Sequence, residues 1–585
     1  MNRRNRGSLV LMSMLLCLAA IAGCASIPTG GPVSKSEVST TGEVQQNTNF
    51  KPVPPSAGAD QTAIINGFIN AATGFSDNFQ VARKYLTAAA ANAWKNDQRT
   101  VVYRGQPNIS RNGTENDYKV ELDVDSVLDA DGIRTPAESG PSGTIQFGLM
   151  KVDGEWRINS LPDGVILAKA YFQTIFNAYS LYFYDPTFTY TVPDVRWFPG
   201  GSNSVATMIV RNLVNGPAPY LKGAVASAFP DGIRLARDTV PISSSTATVD
   251  LSAGPLQAAS LQARQQMQAQ LSETLSRGLN TVTNVVMRAD QVPVDVGDTG
   301  QSQASQIHAP QTPSRQIGVS QNELVYLENG AISAIPGMPS VARLQPAVPA
   351  QSYSSFAKDG PVAFLNGERT SLYTIAPGKA ESVAMTGVPL TPPSFSPSNW
   401  VWSAAADGSG RVFASNAAQN NGATVQTVTL TMEWLKGRTV SSLRVSRDGT
   451  RIMVVSSAAG QSQVHLTGIL RQDNSPASPP RDLTVPIGMF LDTVTFTLGY
   501  WGDETKMIVM APGTGDVVAT KLSLSADPKP LPALTGMQRL SVGNVTSDVS
   551  DIYAQTSSGS VFVQSNTGWQ ERPDLKGIAD LAFAG

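Results

Sequence analysis

The stretch that decides the fold lies within residues 182–296 and contains three short segments, Leu213-Val214-Asn215-Gly216-Pro217, Phe229-Pro230-Asp231-Gly232 and Val249-Asp250-Leu251-Ser252. Apolar residues recur at helical spacing over 205–214, which predicts a helix. We expect this helix to end at the first segment, because glycine can adopt the left-handed conformation of a helix cap and proline cannot continue a helix. The second segment predicts a turn.

Strands and helices alternate across the same stretch. We predict strands over 182–184, 246–252 and 282–288, and a long amphipathic helix over 256–279. This order, together with the three segments, resembles the GerMN domain known from spore-germination and cell-envelope proteins. The resemblance implies an α/β domain over 168–296 that serves as a non-catalytic interaction module.

The N-terminal residues predict the cellular compartment. A basic start with three arginines precedes an apolar run over 9–22, which is typical of a secretory signal and short for a bilayer span. The run leads into Ile21-Ala22-Gly23-Cys24, which resembles a bacterial lipobox. The resemblance implies a lipoprotein signal peptide over 1–23 and a lipidated Cys24 that carries acyl chains such as palmitate. The alternative is an ordinary signal or anchor helix that contains a cysteine by chance.

Two further segments precede the α/β domain. Residues 24–59 are rich in Ser, Thr, Gly, Pro and Gln, which predicts a flexible tether. Over 60–167 we predict two helices within 61–94, and then an antiparallel sheet over 101–158 with a hairpin around Asp153-Gly154. Helices followed by a curved sheet indicate an α+β domain. It resembles the NTF2-like fold, whose last hairpin often ends as Gly154-Glu155-Trp156-Arg157-Ile158 does here.

An aromatic run marks the junction between the two predicted domains. It could be a stripe on which a ligand stacks, but aromatic stripes more often bury area in a core, and we interpret it as packing between domains. The run comprises Tyr171, Phe172, Phe176, Tyr179, Tyr182, Phe183 and Tyr184.

The C-terminal half is predicted to be all-β. Residues 297–314 are polar and proline-containing, and we interpret them as a linker. Over 315–585 short strands alternate with turns, as in Ser446-Arg447-Asp448-Gly449-Thr450, which resembles the turn between the inner strands of a propeller blade. The length fits a β-propeller of about six blades. The alternative is a pair of β-sandwiches.

Composition excludes several classes of function. The 585 residues carry a formal net charge of -2, which disfavours nucleic acid as a partner. Beyond the N-terminus, no apolar run is long enough for a membrane span. Only two Cys and two His are present, so a Cys/His zinc site is not expected, and we predict neither a metal nor a cofactor.

Near-matches to catalytic or metal motifs do not form a site. Ser355-Phe356-Ala357-Lys358 and Ser76-Asp77-Asn78 match two penicillin-binding motifs, but in the wrong order and in different predicted domains. The cluster Asp123, Asp125, Asp129 and Asp131 lacks the Gly and Glu of a calcium loop, so we interpret it as a solvated strand face and turn. We therefore predict no catalytic residues and no enzyme.

Two histidines, one aspartate and four tryptophans are further candidates for a functional role. We expect nothing to position His308 in the linker, and we place His465 on the face of a blade. Asp448 is expected to cap a turn. The tryptophans could be binding anchors, but we favour a role in blade cores; they are Trp400, Trp402, Trp434 and Trp501.

The combination of a lipobox, an NTF2-like segment, a GerMN domain and a propeller resembles the LpqB family of actinobacterial lipoproteins. The resemblance implies a lipid-anchored protein on the extracytoplasmic face of the cell membrane, which binds the sensor domain of an MtrB-like histidine kinase. It would thereby modulate two-component signalling that controls cell-wall and division functions. The alternatives are an envelope lipoprotein that binds a peptidoglycan fragment or other wall ligand and, least favoured, a hydrolase.

Overall fold

The structure is a computed structural model that describes residues 52–75, 78–113, 115–137, 143–200, 204–297, 307–353, 360–419, 426–491, 495–546 and 550–585. Within these residues, no helix combines the length and the apolar character needed to cross a bilayer. Residues 1–51, which include the predicted signal peptide, Cys24 and most of the predicted tether, lie outside the described part.

The first part of the chain packs short helices on a sheet. Asp60 caps the first helix, because its carboxylate accepts a hydrogen bond from the Ala63 N–H at 2.8 Å. Its apolar residues at helical spacing are buried against the sheet. The helices are α1 (Gln61–Asn70), α2 (Gln80–Arg83) and α3 (Ala88–Ala93), with a 3-10 turn at Ala71–Thr73. The described residues of 61–94 therefore contain three short α-helices rather than the two predicted.

A six-stranded sheet completes this part. Its strands are β1 (Arg99–Arg111), β2 (Asp117–Asp129), β3 (Arg134–Pro136), β4 (Gly143–Val152), β5 (Glu155–Ser160) and β6 (Val165–Ala168), in the order β5-β4-β2-β1-β6, with β3 on β2. The predicted hairpin joins β4 and β5 through Asp153 and Gly154, both at positive φ. The sheet is not wholly antiparallel, because β6 pairs in parallel with β1. The α+β layering is as expected, and the NTF2-like assignment stays a prediction.

The second part confirms the GerMN-like α/β domain. The parallel strands β10 and β11 are joined by a helical crossover, and a separate two-stranded ribbon packs against the long helix. The elements are α4 (Lys169–Ile175), β7 (Phe176–Tyr184), β8 (Thr191–Pro199), α5 (Val205–Asn215), β9 (Ile242–Ser243), β10 (Thr246–Leu251), α6 (Ala253–Ala258), α7 (Leu261–Gly278), β11 (Asn284–Ala289) and β12 (Val292–Pro293).

Two details of this domain bear on the predictions. Helix α5 ends as expected at Gly216, whose φ of +101° favours glycine over residues with a Cβ. The long helix predicted over 256–279 is wrong in one respect, since it is divided into α6 and α7. The division lies at Ser260, whose hydroxyl accepts a hydrogen bond from the Ala263 N–H and so begins a new helix.

The third part is all-β and propeller-like, as predicted. Its described residues form four-stranded antiparallel sheets in succession, one of which has a fifth strand, and contain 3-10 turns but no α-helix. The strands of the first three sheets are β13 (Gln316–Ser320), β14 (Glu323–Glu328), β15 (Ala331–Ala334), β16 (Ala347–Gln351), β17 (Val362–Leu365), β18 (Ser371–Ile375), β19 (Ser382–Thr386), β20 (Ser394–Phe395), β21 (Trp400–Ala404), β22 (Arg411–Asn416) and β23 (Thr427–Thr431).

The remaining sheets follow the same plan. A two-stranded ribbon, β31 with β34, lies outside the main sheets. The strands are β24 (Thr439–Val445), β25 (Arg451–Ala458), β26 (Gln461–Arg471), β27 (Pro480–Leu483), β28 (Ile487–Gly488), β29 (Leu498–Trp501), β30 (Lys506–Met510), β31 (Asp516–Val517), β32 (Thr520–Ser523), β33 (Lys529–Pro530), β34 (Leu534–Thr535), β35 (Met537–Val545), β36 (Ser550–Thr556), β37 (Val561–Ser565), β38 (Gly568–Glu571) and β39 (Ala579–Ala582).

The inner strands of these sheets form a closed ring. Strands β39, β16, β20, β24, β29 and β35 contact one another in that order, and β35 returns to β39. Strand β39 belongs to the first sheet, where it pairs with β13, so the last strand of the region joins its beginning. Closure of this kind protects the inner edges of the sheets, which are short.

Tryptophan side chains fill the blade cores, as we favoured. Trp400, Trp402 and Trp501 are buried, and Trp434 is partly buried. His465 lies in β26 and packs against Trp434 with the ring centroids 5.2 Å apart. Burial and the nearby positive charge of Arg438 lower the pKa of His465 to about 4. The ring is therefore neutral at pH 7.

The turn at Asp448 is held by a buried ion pair. One carboxylate oxygen accepts hydrogen bonds from Ser446 and Thr450, and the other lies 2.6 Å from a guanidinium nitrogen of Arg451, whose side chain is fully buried. Burial alone would raise the pKa of Asp448, but Arg451 and the hydrogen bonds outweigh it and hold that pKa below its ordinary value. Asp448 caps the turn as expected, and in addition neutralises Arg451.

This pair predicts a large cost for Asp448→Ala. The substitution leaves the Arg451 charge buried without a partner, which costs about 3–5 kcal/mol. Asp407→Ala is the control, since Asp407 pairs with Arg411 in the turn between β21 and β22 of the preceding blade but is partly exposed. It is expected to cost less than about 1 kcal/mol. Chemical denaturation followed by tryptophan fluorescence measures both, and equal losses would contradict the assignment.

Candidate partner-binding groove and the contacts that shape it

A groove of ≈ 770 Å³ lies between the first two parts of the chain. One wall comes from the turn between β2 and β3 and from the residues before β1. The other comes from the end of β8 and the outer face of α5, including Met208 and Arg211. We call this cleft the N-terminal groove. Its volume is within the range of ligand pockets.

The groove combines aromatic walls with a charged rim. Phe75 packs edge-on against Phe79 and Phe176, with ring centroids 4.7 and 5.0 Å apart. Exposed charges of both signs surround these rings; they are Asp97, Arg99, Asp129, Asp131, Arg211 and Asp238. An apolar centre inside a polar rim is the usual composition of a protein-binding surface.

The acidic turn between β2 and β3 lies on the rim and is stabilised by its own carboxylate. The Asp129 carboxylate accepts hydrogen bonds from the N–H groups of Asp131 and Ile133 at 3.0 and 2.8 Å. Desolvation raises the pKa of Asp129, and the like charge of Asp131 adds to this effect. The Asp131 carbonyl accepts a hydrogen bond from Arg196 in β8. The turn is thereby fixed to the second domain.

Aromatic side chains join the two walls at the base of the groove. Phe172 stacks on Phe176 with centroids 4.8 Å apart and lies 5.4 Å from Trp197. These rings pack with Val102 and Leu128 of the first sheet. The aromatic run at the junction is therefore core, as we interpreted it from the sequence, except at Tyr171, which is exposed.

Asp125 is the centre of an ion-pair network below this core. Its carboxylate is buried and lies 2.9 Å from Arg134, 2.9 Å from Lys169 and 2.7 Å from Arg104. Burial would raise the pKa of Asp125, but Lys169 and Arg134 outweigh that effect and lower it. The solvated face predicted for the four aspartates is therefore wrong at Asp125, while Asp123 is exposed as expected.

Arg134 connects all three parts of the chain. Besides Asp125, its guanidinium lies 3.3 Å from Asp527 in the propeller-like region. It also lies over three rings: Phe172 at 4.5 Å and Trp197 at 5.2 Å in the second domain, and Phe490 at 4.2 Å in the propeller-like region. Cation–π contacts of a desolvated guanidinium contribute up to about 2 kcal/mol each.

A loop of the second domain makes a further contact with the propeller-like region. Asp194 pairs with Arg196 and accepts a hydrogen bond from the Ala218 N–H, which fixes the start of the loop. The Tyr220 carbonyl then accepts a hydrogen bond from Thr484. A Cβ at Gly468 would lie 2.6 Å from the Cβ of Ala224, so this close approach requires glycine.

The predicted linker contains positioned residues. Of 297–314, residues 298–306 lie outside the described part, but 307–314 pack between the second domain and the propeller-like region. His308 Nδ1 lies 2.7 Å from Thr191 Oγ1 and 2.9 Å from Glu273 Oε1. The expectation that nothing positions His308 is therefore wrong. The following residues are held by Glu504 and Asn544.

Most residues of the two near-matches to catalytic motifs lie outside the part of the chain that the structure describes. Residues 355–358, together with Ser76 and Asp77, lie outside the described part of the chain. Across the ranges that the structure describes, no three of His, Cys, Asp and Glu lie together in a way that could hold a metal ion. The structure instead brings together Arg134, Asp125 and Asp527. This grouping was missed from the sequence because Asp527 is far along the chain from the other two and the set follows no motif.

The Arg134 contacts predict how the domains separate. We expect Arg134→Met to cost about 3 kcal/mol and to split thermal unfolding into separate transitions, because it removes a buried charge that bridges three parts of the chain. Arg104→Met is the control, since Arg104 also pairs with Asp125 but is half exposed. Differential scanning calorimetry distinguishes the two variants. A single, equally stable transition in both would show that Arg134 does not hold the domains together.

Comparison with family models gives three matches along the chain. Residues 54–173 match "Lipoprotein LpqB, N-terminal domain", residues 322–582 match "Lipoprotein LpqB beta-propeller domain", and residues 180–295 match "Sporulation and spore germination". Among the solved structures that resemble the chain is TolB from Acinetobacter baumannii, which is 14% identical, with a TM-score of 0.33; the match covers 47% of this chain and 67% of TolB. Another is the tandem GerMN domains of GerM from Bacillus subtilis, which are 16% identical, with a TM-score of 0.17; that match covers 26% of this chain and 59% of the GerM chain. At these TM-scores the likenesses carry no weight.

Several curated relatives are named "Lipoprotein LpqB", and some of them match this chain over nearly their whole length. "Lipoprotein LpqB" of Rhodococcus jostii is 24% identical over 97% of this chain and 96% of its own length. The protein of that name from Mycolicibacterium smegmatis is 26% identical over 95% of both chains. The matched part of the Thermobifida fusca relative is 32% identical but spans only 39% of that protein. With its N-terminal and propeller models together covering about two thirds of the sequence, the chain belongs to the LpqB family of lipoproteins.

Proposed function

We propose that this chain is a lipid-anchored accessory protein on the extracytoplasmic face of the cell membrane. It binds the sensor domain of an MtrB-like histidine kinase and thereby modulates two-component signalling that controls cell-wall and division functions. The observation that carries the proposal is the N-terminal groove, which we assign as the docking site. Membership of a lipoprotein family supports the envelope location and a role without catalysis.

The composition of the groove supports a protein partner. Aromatic side chains such as Phe75 and Trp197 offer large apolar area at its centre, and aromatic residues dominate the energetics of protein interfaces. The mixed charges of the rim suit an orienting role, because charges at the edge of an interface act mainly on association rate and specificity. The most buried carboxylate nearby, Asp125, is already neutralised by three cations and is poorly suited to proton transfer.

The position of the groove in the sequence also fits this role. Its walls belong to the two domains that follow the predicted tether, so they lie nearest to the lipid anchor along the chain. An anchor in the same membrane as the kinase raises the effective concentration of each partner for the other. Because the walls are joined by the Arg134 network and the aromatic core, little ordering of the groove is required on binding.

Binding of the sensor domain tests the docking site. We expect the double variant Met208→Glu, Arg211→Glu to weaken the affinity of the soluble chain for the purified sensor domain at least ten-fold, because it places two carboxylates on the α5 wall. Arg234→Glu is the control, since it makes the same charge reversal as Arg211→Glu at an exposed arginine of the same domain outside the groove. Biolayer interferometry provides the dissociation constants.

Two results would contradict the proposal. Equal weakening by the control would place the effect in net charge rather than in the groove. No binding of the sensor domain, together with groove-dependent binding of muropeptides, would favour the alternative of an envelope protein that binds a wall fragment.

Cys24→Ala tests the anchor. If Cys24 carries the lipid, we expect the variant to lose incorporation of labelled palmitate, because the thiol that accepts the lipid is removed. Metabolic labelling of cells that express each form makes the measurement, with Cys17→Ala as the control. Undiminished labelling of Cys24→Ala would contradict the assignment of Cys24 as the lipidated residue.

A further inference from the structure

The ring of inner strands encloses a second, smaller cavity. It has a volume of ≈ 70 Å³, and all six inner strands of the ring contribute residues to its lining. We call it the axial cavity. Its walls carry three arginines, Arg444 from β24, Arg447 from the turn after β24 and Arg539 from β35, and the Asp580 carboxylate from β39. The Arg447 guanidinium is taken up by backbone carbonyls, to which it donates hydrogen bonds.

Both oxygens of the Asp580 carboxylate have partners in the axial cavity. Asp580 Oδ1 lies 2.8 Å from Nε of Arg539, and Oδ2 accepts a hydrogen bond from the Val348 N–H at 2.8 Å. Arg539 and Asp580 therefore neutralise each other. The charge of Arg444 is not balanced by this pair.

Arg444 lies in the cavity wall with part of its hydrogen-bonding capacity unused. One terminal nitrogen donates to the Pro393 carbonyl at 2.5 Å, whereas Nε is buried and lacks a hydrogen-bond partner. In the described part of the chain, no carboxylate lies within ion-pair distance of this guanidinium. Burial lowers the pKa of Arg444, and the like charge of Arg539 contributes to the shift. An arginine nevertheless stays charged in proteins, so the cavity holds a cation without a counter-ion.

Tyr500 supplies a second donor next to Arg444. The guanidinium lies 5.5 Å from the centroid of the Tyr500 ring. The Tyr500 oxygen accepts a hydrogen bond from the Leu540 N–H, and the hydroxyl can still donate its own hydrogen. A guanidinium and a hydroxyl that line the same small cavity are a suitable pair of donors for an oxyanion.

We propose that the axial cavity binds a compact oxyanion, the carboxylate or phosphate group of an envelope solute or of a larger ligand. Arg444 is the anchoring cation and Tyr500 the second donor. The small volume admits such a group and excludes a sugar ring or a peptide strand. The site is independent of the N-terminal groove, so it stands or falls separately from the proposed kinase interaction.

Acetate and inorganic phosphate are the probes that test this site. Each is titrated into the soluble chain at constant ionic strength with chloride as the balancing anion, and the melting temperature and tryptophan fluorescence are recorded. We expect a saturable rise in melting temperature with one or both probes, and a fluorescence change because Trp501 also lines the cavity. A response to phosphate alone assigns a phosphate site, and a response to acetate alone assigns a carboxylate site.

Substitutions locate the response. We expect Arg444→Gln to weaken the apparent affinity at least ten-fold and Tyr500→Phe, which removes only the hydroxyl, to weaken it several-fold. Arg411→Gln is the control, because Arg411 lies on β22 outside the cavity, and it should leave the titration unchanged. If Arg444→Gln does not fold, the Tyr500→Phe titration decides. No saturable response to either anion, or an unchanged response in Tyr500→Phe and any folded Arg444→Gln, would overturn the proposal.

Discussion

The interaction on which the rest of the structure depends is the buried contact of Arg134 with Asp125. The Arg134 side chain is 2% exposed and Asp125 is fully buried, so water solvates neither charge and each depends on its ion-pair partners. The same guanidinium lies against rings from the second domain and the propeller-like region and faces Asp527. A single desolvated cation therefore reinforces the apolar clusters through which the three regions already pack against one another.

This constraint explains why the N-terminal groove can exist as a preformed surface. A cleft between two domains stays open in one shape only if the domains cannot rotate against each other. The aromatic core around Phe172, the hydrogen bond from Arg196 to the Asp131 carbonyl and the Arg134 network all lie beside the groove and oppose such rotation. The contact between Tyr220 and Thr484 adds a second connection to the propeller-like region, on another side of the second domain.

Much of the fold follows from local signals in the sequence. Helix α5 and its end at Gly216, the Asp153-Gly154 hairpin and the turn at Asp448 each depend on a few neighbouring residues, and each forms as predicted. The division of the long helix at Ser260 was missed because a serine inside an amphipathic pattern can either face solvent or cap a new helix. The parallel pairing of β6 with β1 joins residues far apart along the chain, and no local pattern determines it.

The candidate site was less predictable for the same physical reason. Neither wall of the groove carries a motif, because its shape arises from the relative position of two domains. The polar composition of 297–314 gave no indication that His308 would lie between Thr191 and Glu273. In the sequence, Asp125 is one of four closely spaced aspartates, and nothing in that pattern indicates its three cationic partners. Long-range pairing of charges decides each of these features, and single-sequence patterns do not report it.

We have proposed that the N-terminal groove is the surface that meets the kinase sensor domain. Hydrogen–deuterium exchange of the soluble chain, measured with and without the purified sensor domain, can test this docking site. We expect slower exchange on binding in α5 and in the 128–132 turn, with exchange in the blades unchanged. Protection confined to the propeller-like region, with exchange in α5 unaltered, would contradict it.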